Sequence, residues 1–94
     1  MRTRERTVEL RLVELAKRHG GWAAKWACSG TAGVPDRIVF LPGGRLYFVE
    51  VKRPGGKARP AQLAIHRRLE KRGQKVYVVD DADAFFREID GAKS

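Results

Sequence analysis

The feature that most restricts this chain is a pair of β-rich runs separated by a bend of proline and glycine. Asp36-Arg37-Ile38-Val39-Phe40-Leu41 and Arg45-Leu46-Tyr47-Phe48-Val49-Glu50-Val51-Lys52 are dense in β-branched and aromatic residues, with Pro42-Gly43-Gly44 between them. This composition and spacing predict a β-hairpin. Three loop residues suit a type I turn with proline at its second position and a left-handed Gly44 in the following bulge. Leu41 then pairs with Arg45. Counting back along both strands sets Asp36 opposite Glu50 on one face, with Cβ atoms about 4.5–5.5 Å apart. A two-residue loop would instead pair Asp36 with Val51 and send the acids to opposite faces.

An acid inside Tyr47-Phe48-Val49-Glu50-Val51 needs a cation or an opening to solvent, because an uncompensated buried carboxylate costs several kcal/mol, at roughly that order. Lys52 lies two residues on and so projects from the same face as Glu50. Two adjacent carboxylates raise each other's pKa unless a cation intervenes. A divalent ion such as Mg²⁺, with its preference for oxygen ligands, relieves that conflict. Asp36, Glu50 and Lys52 together therefore suit phosphodiester hydrolysis: the ion polarises phosphate and acidifies water, and the lysine orients that water or offsets developing charge. The plainer alternative is a structural Glu50–Lys52 ion pair, with Asp36 merely a turn residue after Pro35.

Upstream, Thr3 to His19 reads as a helix with Val8, Leu12, Leu15 and Ala16 in one stripe, Val13 at its edge and Gly20-Gly21 ending it. At about 100° per residue, Glu9 falls between Ala16 and Val13 on the flank of the buried face, with Glu5 one turn earlier, while Glu14 points to water. Glu9 and Glu5 are thus candidate third acids for the site, against the reading of a fraying first turn. Trp22 to Ser29 reads as a strand with Trp22, Ala24 and Trp26 in alternation; the tryptophans fit core packing better than base stacking. Ser29 to Gly33 is a loop that Val34-Pro35 stiffens. Arg53 to Arg59 is a mobile basic loop. A helix follows from Pro60 to about Arg72, capped by Gly73, then a strand from Lys75 to Val79. Ala82 to Ile89 forms a closing helix N-capped by Asp81, and Gly91-Ala92-Lys93-Ser94 should fray. On the Pro60 helix, Gln62 can reach the hairpin face to bond a phosphate or a metal-bound water. His66, one turn later, fits a surface or packing role. The order is αβββαβ with a terminal helix.

Twenty Lys and Arg against 11 Asp and Glu leave a net charge of +9, which argues for a polyanionic partner. Arg53, Lys57, Arg59, Arg67 and Lys71 are the candidate phosphate contacts. A membrane surface fits less well, since no strongly apolar helix face accompanies the basic one. No apolar run reaches the roughly 18–20 residues of a membrane span, and the N-terminus lacks a signal-like apolar segment. One cysteine, Cys28, and two histidines make a disulfide framework, a zinc site or a Ser-His-Asp triad a poor fit. An intracellular, cytoplasmic protein of one domain over residues 1–94 is expected.

Gly33-Val34-Pro35-Asp36, Glu50-Val51-Lys52 and Gln62 in the next helix, in that order, resemble the VRR-NUC (virus-type replication-repair nuclease) family of the PD-(D/E)XK nuclease superfamily. The likeness runs from about Glu5 to Val79 and takes in the Leu41–Arg45 bend and the Lys52–Lys57 segment. It implies an α/β, restriction-endonuclease-like αβββαβ core with a central mixed sheet flanked by helices. It further implies a metal-dependent, structure-selective DNA endonuclease. Asp36, Glu50 and the Val51 carbonyl would bind Mg²⁺ or Mn²⁺, Lys52 would be the catalytic lysine, and Gln62 would support the site. The family's N-terminal-helix glutamate matches Glu9 best, with Glu5 left open. Members this short resemble stand-alone phage or bacterial proteins that dimerise and cut branched DNA such as four-way junctions.

Overall fold

The computed structural model describes residues 3–91. Along them run α1 (Glu5–Arg18), β1 (Trp22–Lys25), β2 (Arg37–Leu41), β3 (Arg45–Val51), α2 (Pro60–Glu70), β4 (Val76–Val79) and α3 (Ala82–Gly91). The strands form one mixed sheet in the order β1-β2-β3-β4. The first three are antiparallel neighbours, and β4 joins β3 in parallel. A parallel partner cannot be reached by a tight turn, so α2 supplies the crossover.

The hairpin has the expected register, from Leu41↔Arg45 to Arg37↔Val49. Its turn differs in one respect. Gly43 as well as Gly44 has positive φ, 85° and 74°, and the Gly43 value belongs to the third position of a type II turn. The loop length, and with it the pairing, is unaffected.

The stripe on α1 is buried as its periodicity requires: Val8, Leu12, Leu15 and Ala16 face Val39, Leu41, Tyr47, Val49, Val51 and Val79 of the sheet. Phe85, Phe86 and Ile89 of α3 complete this core. Each strand contributes alternate residues to it, as pleated geometry dictates. Gly21 makes the entry to β1 possible, since a Cβ there would sit 2.1 Å from the Phe40 carbonyl oxygen.

Three elements differ from their sequence readings. β1 ends at Lys25, and its buried residue is Ala23, while Trp22 is 62% exposed and stacks on Phe40 at 5.6 Å. Its alternation had the opposite phase because α1 packs closely there and admits only a small side chain. α2 stops at Glu70, where Gly73 N–H bonds Glu70 O and Gln74 N–H bonds Leu69 O, turning the chain towards β4. α3 is N-capped by Asp81, whose Oδ1 accepts the Ala84 N–H at 3.0 Å, and it continues through Gly91. The expected fraying of residues 92–94 lies outside the described residues. Among the described residues, no helix is long and apolar enough to cross a membrane.

Candidate active site

Asp36 stands one residue before β2, and its Oδ2 accepts the Val51 N–H at 2.8 Å. The reason lies in the ladder. Phe48 and Lys52 donate their N–H groups to the β4 side, to Lys75 O and Val79 O, so Val51 presents its own polar groups to the β2 side. Continuing the β2–β3 register sets Pro35 opposite Val51. Proline has no N–H, so the ladder offers the Val51 carbonyl no donor there. The Pro35-Asp36 pair thus leaves one backbone oxygen without its ladder donor and lodges a carboxylate beside it.

Glu50 projects from the opposite face of β3 to the core and is only 1% exposed. α2 closes over it. Gln62 Nε2 donates to Glu50 Oε2 at 3.0 Å, and His66 Nε2 lies 3.3 Å from Glu50 Oε1. Gln62 is itself fixed, because its Oε1 accepts the Arg59 N–H at 2.8 Å in the manner of a helix-capping side chain. The Gly33 loop packs on the start of α2: a Cβ on Gly33 would lie 2.8 Å from Ala61 O, and its φ is 84°. That close approach aligns Gln62 with the hairpin. His66, which the sequence reads as a surface or packing residue one turn from Gln62, is buried, and what the sequence did not supply is its contact with Glu50.

Burial pushes the Glu50 carboxyl up to about 8, reinforced by hydrogen bonding to Asp36 and by the Asp36 charge, with Lys52 opposing and Glu5 adding slightly. At neutral pH the metal-free Glu50 carboxyl therefore keeps its proton. Burial pushes His66 below its ordinary range, with Glu70 opposing and Lys52 assisting. A buried carboxyl that keeps its proton beside the half-buried Asp36 carboxyl marks a place that a cation suits. The available donors are hard oxygens, two carboxylates and the Val51 carbonyl, which fit Mg²⁺ or Mn²⁺ better than zinc. Among the described residues, no group of three or more His, Cys, Asp or Glu side chains has metal-binding geometry.

The α1 acids divide. Glu9 Oε2 accepts from Arg37 Nε at 3.0 Å and forms an ion pair with Nη2 at 3.0 Å, while Arg37 Nη1 donates to Ala23 O at 3.0 Å. Glu9 does border a cavity that includes Asp36, yet its carboxylate is clamped by Arg37. Glu5 is the α1 acid whose charge reaches Glu50. Lys52 follows Glu50 on the same face, and the basic loop folds back against its stem. A Cβ on Gly56 would meet Arg53 O at 2.9 Å and Lys52 Cβ at 3.2 Å. Gly55 N–H donates to Asp80 Oδ2 at 2.9 Å, tying that loop to the end of β4. Arg53, Lys57 and Arg59 on the loop and Arg67 and Lys71 on the α2 side are all exposed.

Known proteins share this fold. The family model described as the VRR-NUC domain matches residues 4–82. The chain belongs to the VRR-NUC family. A relative named "Putative nuclease p44", from Acyrthosiphon pisum secondary endosymbiont phage 1, is 46% identical over 80 residues, covering 85% of this chain and 86% of the relative. A solved structure described as a VRR_NUC domain superposes with a TM-score of 0.83 at 36% identity, covering 94% of this chain and 96% of that one. The VRR-NUC assignment makes this a nuclease domain and confirms the mixed four-stranded sheet flanked by helices.

Proposed function

We propose that this chain is a Mg²⁺- or Mn²⁺-dependent DNA endonuclease acting as a homodimer on branched DNA, four-way junctions included. The observation that carries this reading is the buried Glu50 carboxyl paired with the half-buried Asp36, with Lys52 on the same face. Asp36, Glu50 and the Val51 carbonyl would hold the ion, with Glu5 rather than Glu9 as the α1 acid, since Glu9 is engaged by Arg37. When bound, the ion would polarise the phosphodiester and make a water more acidic.

The chain's own groups do the rest. Gln62 and His66 hold Glu50 in place from α2. The Lys52 ammonium orients the attacking water and offsets charge as the phosphorus–oxygen bond breaks. Arg53, Lys57, Arg59, Arg67 and Lys71 contact phosphates and position the strand without reading sequence. A two-fold dimer matches a symmetric junction and gives paired incisions. The phage origin of the p44 relative supports an intracellular, cytoplasmic setting.

The test incubates the purified protein with end-labelled four-way junction, flap and linear duplex, in Mg²⁺, Mn²⁺ or chelator. Metal-dependent scission of the branched substrates is expected. Asp36→Asn and Lys52→Ala should lose cleavage yet still shift junction DNA in a gel. Light scattering should report twice the chain mass. Scission of no substrate would leave a non-catalytic DNA-binding module, and equal cutting of linear duplex would remove branch selectivity.

A further inference from the structure

We infer that the cleft between the exit of β1 and α2 receives one unpaired nucleobase of the DNA strand. The inference rests on the nuclease reading for its substrate and adds a base-binding subsite to it. The cleft has a volume of about 200 Å³, with Trp26, Val34, Ile65 and Leu69 in its walls and Arg68 and Arg72 at its rim.

Three observations point to a base with its phosphate. First, the indole of Trp26 is already braced, lying 5.2 Å from the Phe48 ring, so its orientation is set before anything binds. An aromatic wall with guanidinium groups beside it is what a stacked base and its phosphate require. Second, Arg72 Nη1 donates to Arg68 O at 2.9 Å, which anchors one guanidinium edge and leaves the others facing outwards. Both arginines are exposed, and phosphate contacts alone would not need the apolar walls below them.

Third, the cleft adjoins the acid pair. Trp26 and Val34 also line a neighbouring cavity of about 320 Å³ whose wall includes Asp36. The Trp26 backbone N–H donates to Asp36 O at 3.1 Å, so the main chain holds the two residues side by side. A strand with one phosphate at Asp36 and Glu50 has a neighbouring base within reach of the cleft. A paired base is too encumbered by its partner to enter, so occupancy requires a base released from the stack. Branch points supply such bases.

The test uses the whole chain in chelator, so that no strand is cut. The probes are a short fluorescein-labelled oligothymidylate and an abasic oligonucleotide of the same length. Cys28, the single cysteine, is exposed and lines the cleft, so its alkylation rate reports occupancy. The base-bearing strand should slow alkylation and bind at least about fivefold more tightly than the abasic strand, the size of one weak base–aromatic stack. An Arg68→Ala/Arg72→Ala double variant, altered only at exposed positions, should bind both strands more weakly while keeping the base-bearing strand's advantage, and Trp26→Leu should lose that advantage and the protection of Cys28. Equal affinity and equal protection by the two strands would overturn the inference, as would no protection of Cys28 at saturating oligothymidylate. Wild-type cleavage with metal separates the two readings. Cleavage without base discrimination removes the subsite alone, and discrimination without cleavage removes the nuclease reading alone.

Discussion

Gln62 donates from Nε2 to Glu50 at 3.0 Å while its Oε1 accepts the Arg59 N–H at 2.8 Å, so one side chain both caps α2 and fixes the buried Glu50 carboxyl. Replacing Gln62 by Ala removes both bonds. The stability loss should be about 1–3 kcal/mol, the range for leaving buried polar groups unsatisfied. Thermal melts should show Tm falling by roughly 4–8 °C per kcal/mol lost. Cleavage should fall as well, because Glu50 becomes free to rotate away from Asp36.

Stability without metal should depend on pH through Glu50. Its carboxyl titrates at about 8 in the folded chain against 4.5 ordinarily, so between these values the folded state holds a proton the unfolded chain has released. Stability should therefore fall as pH rises from 4.5 to about 8, and level off above. Glu50→Gln should abolish that slope, melt higher than wild type at pH 8 in chelator, and cut no DNA. Mg²⁺ should raise the wild-type Tm more at pH 8 than at pH 5.

Pro35→Ala restores an N–H opposite Val51, which can then engage the carbonyl that the proline leaves without a ladder donor. Metal affinity, measured by Mn²⁺ titration calorimetry, should weaken by about 10–100-fold, the usual cost of disturbing groups behind a metal ligand. Circular dichroism should report an unchanged fold.

Glu5 and Glu9 should separate cleanly. Glu9→Gln breaks the ion pair with Arg37, whose side chain is 11% exposed, and should lower Tm by leaving that guanidinium poorly paired. Glu5→Gln should leave Tm nearly unchanged, because Glu5 is exposed, and should weaken Mn²⁺ binding and cleavage. The reverse pattern would return the ligand role to Glu9.

The amino-acid sequence by itself determined what depends on near neighbours. The apolar stripe of α1 follows from helical periodicity. The pairing of Leu41 with Arg45, and so the meeting of Asp36 and Glu50, follows from a bend of fixed length. Asp81 as a helix cap is equally local. What depended on packing between distant elements was decided by the tertiary structure alone. His66 reads as a surface or packing residue, and only the docking of α2 on β3 decides for burial and sets it against Glu50. Glu9 and Glu5 share a flank of α1, and the position of Arg37, 28 residues from Glu9, separates them. Trp22 follows a strand alternation whose phase the sequence leaves open, and the close approach of α1 resolves it in favour of burying Ala23. Periodicity fixes which residues share a face; only the docking of those faces fixes what each one touches.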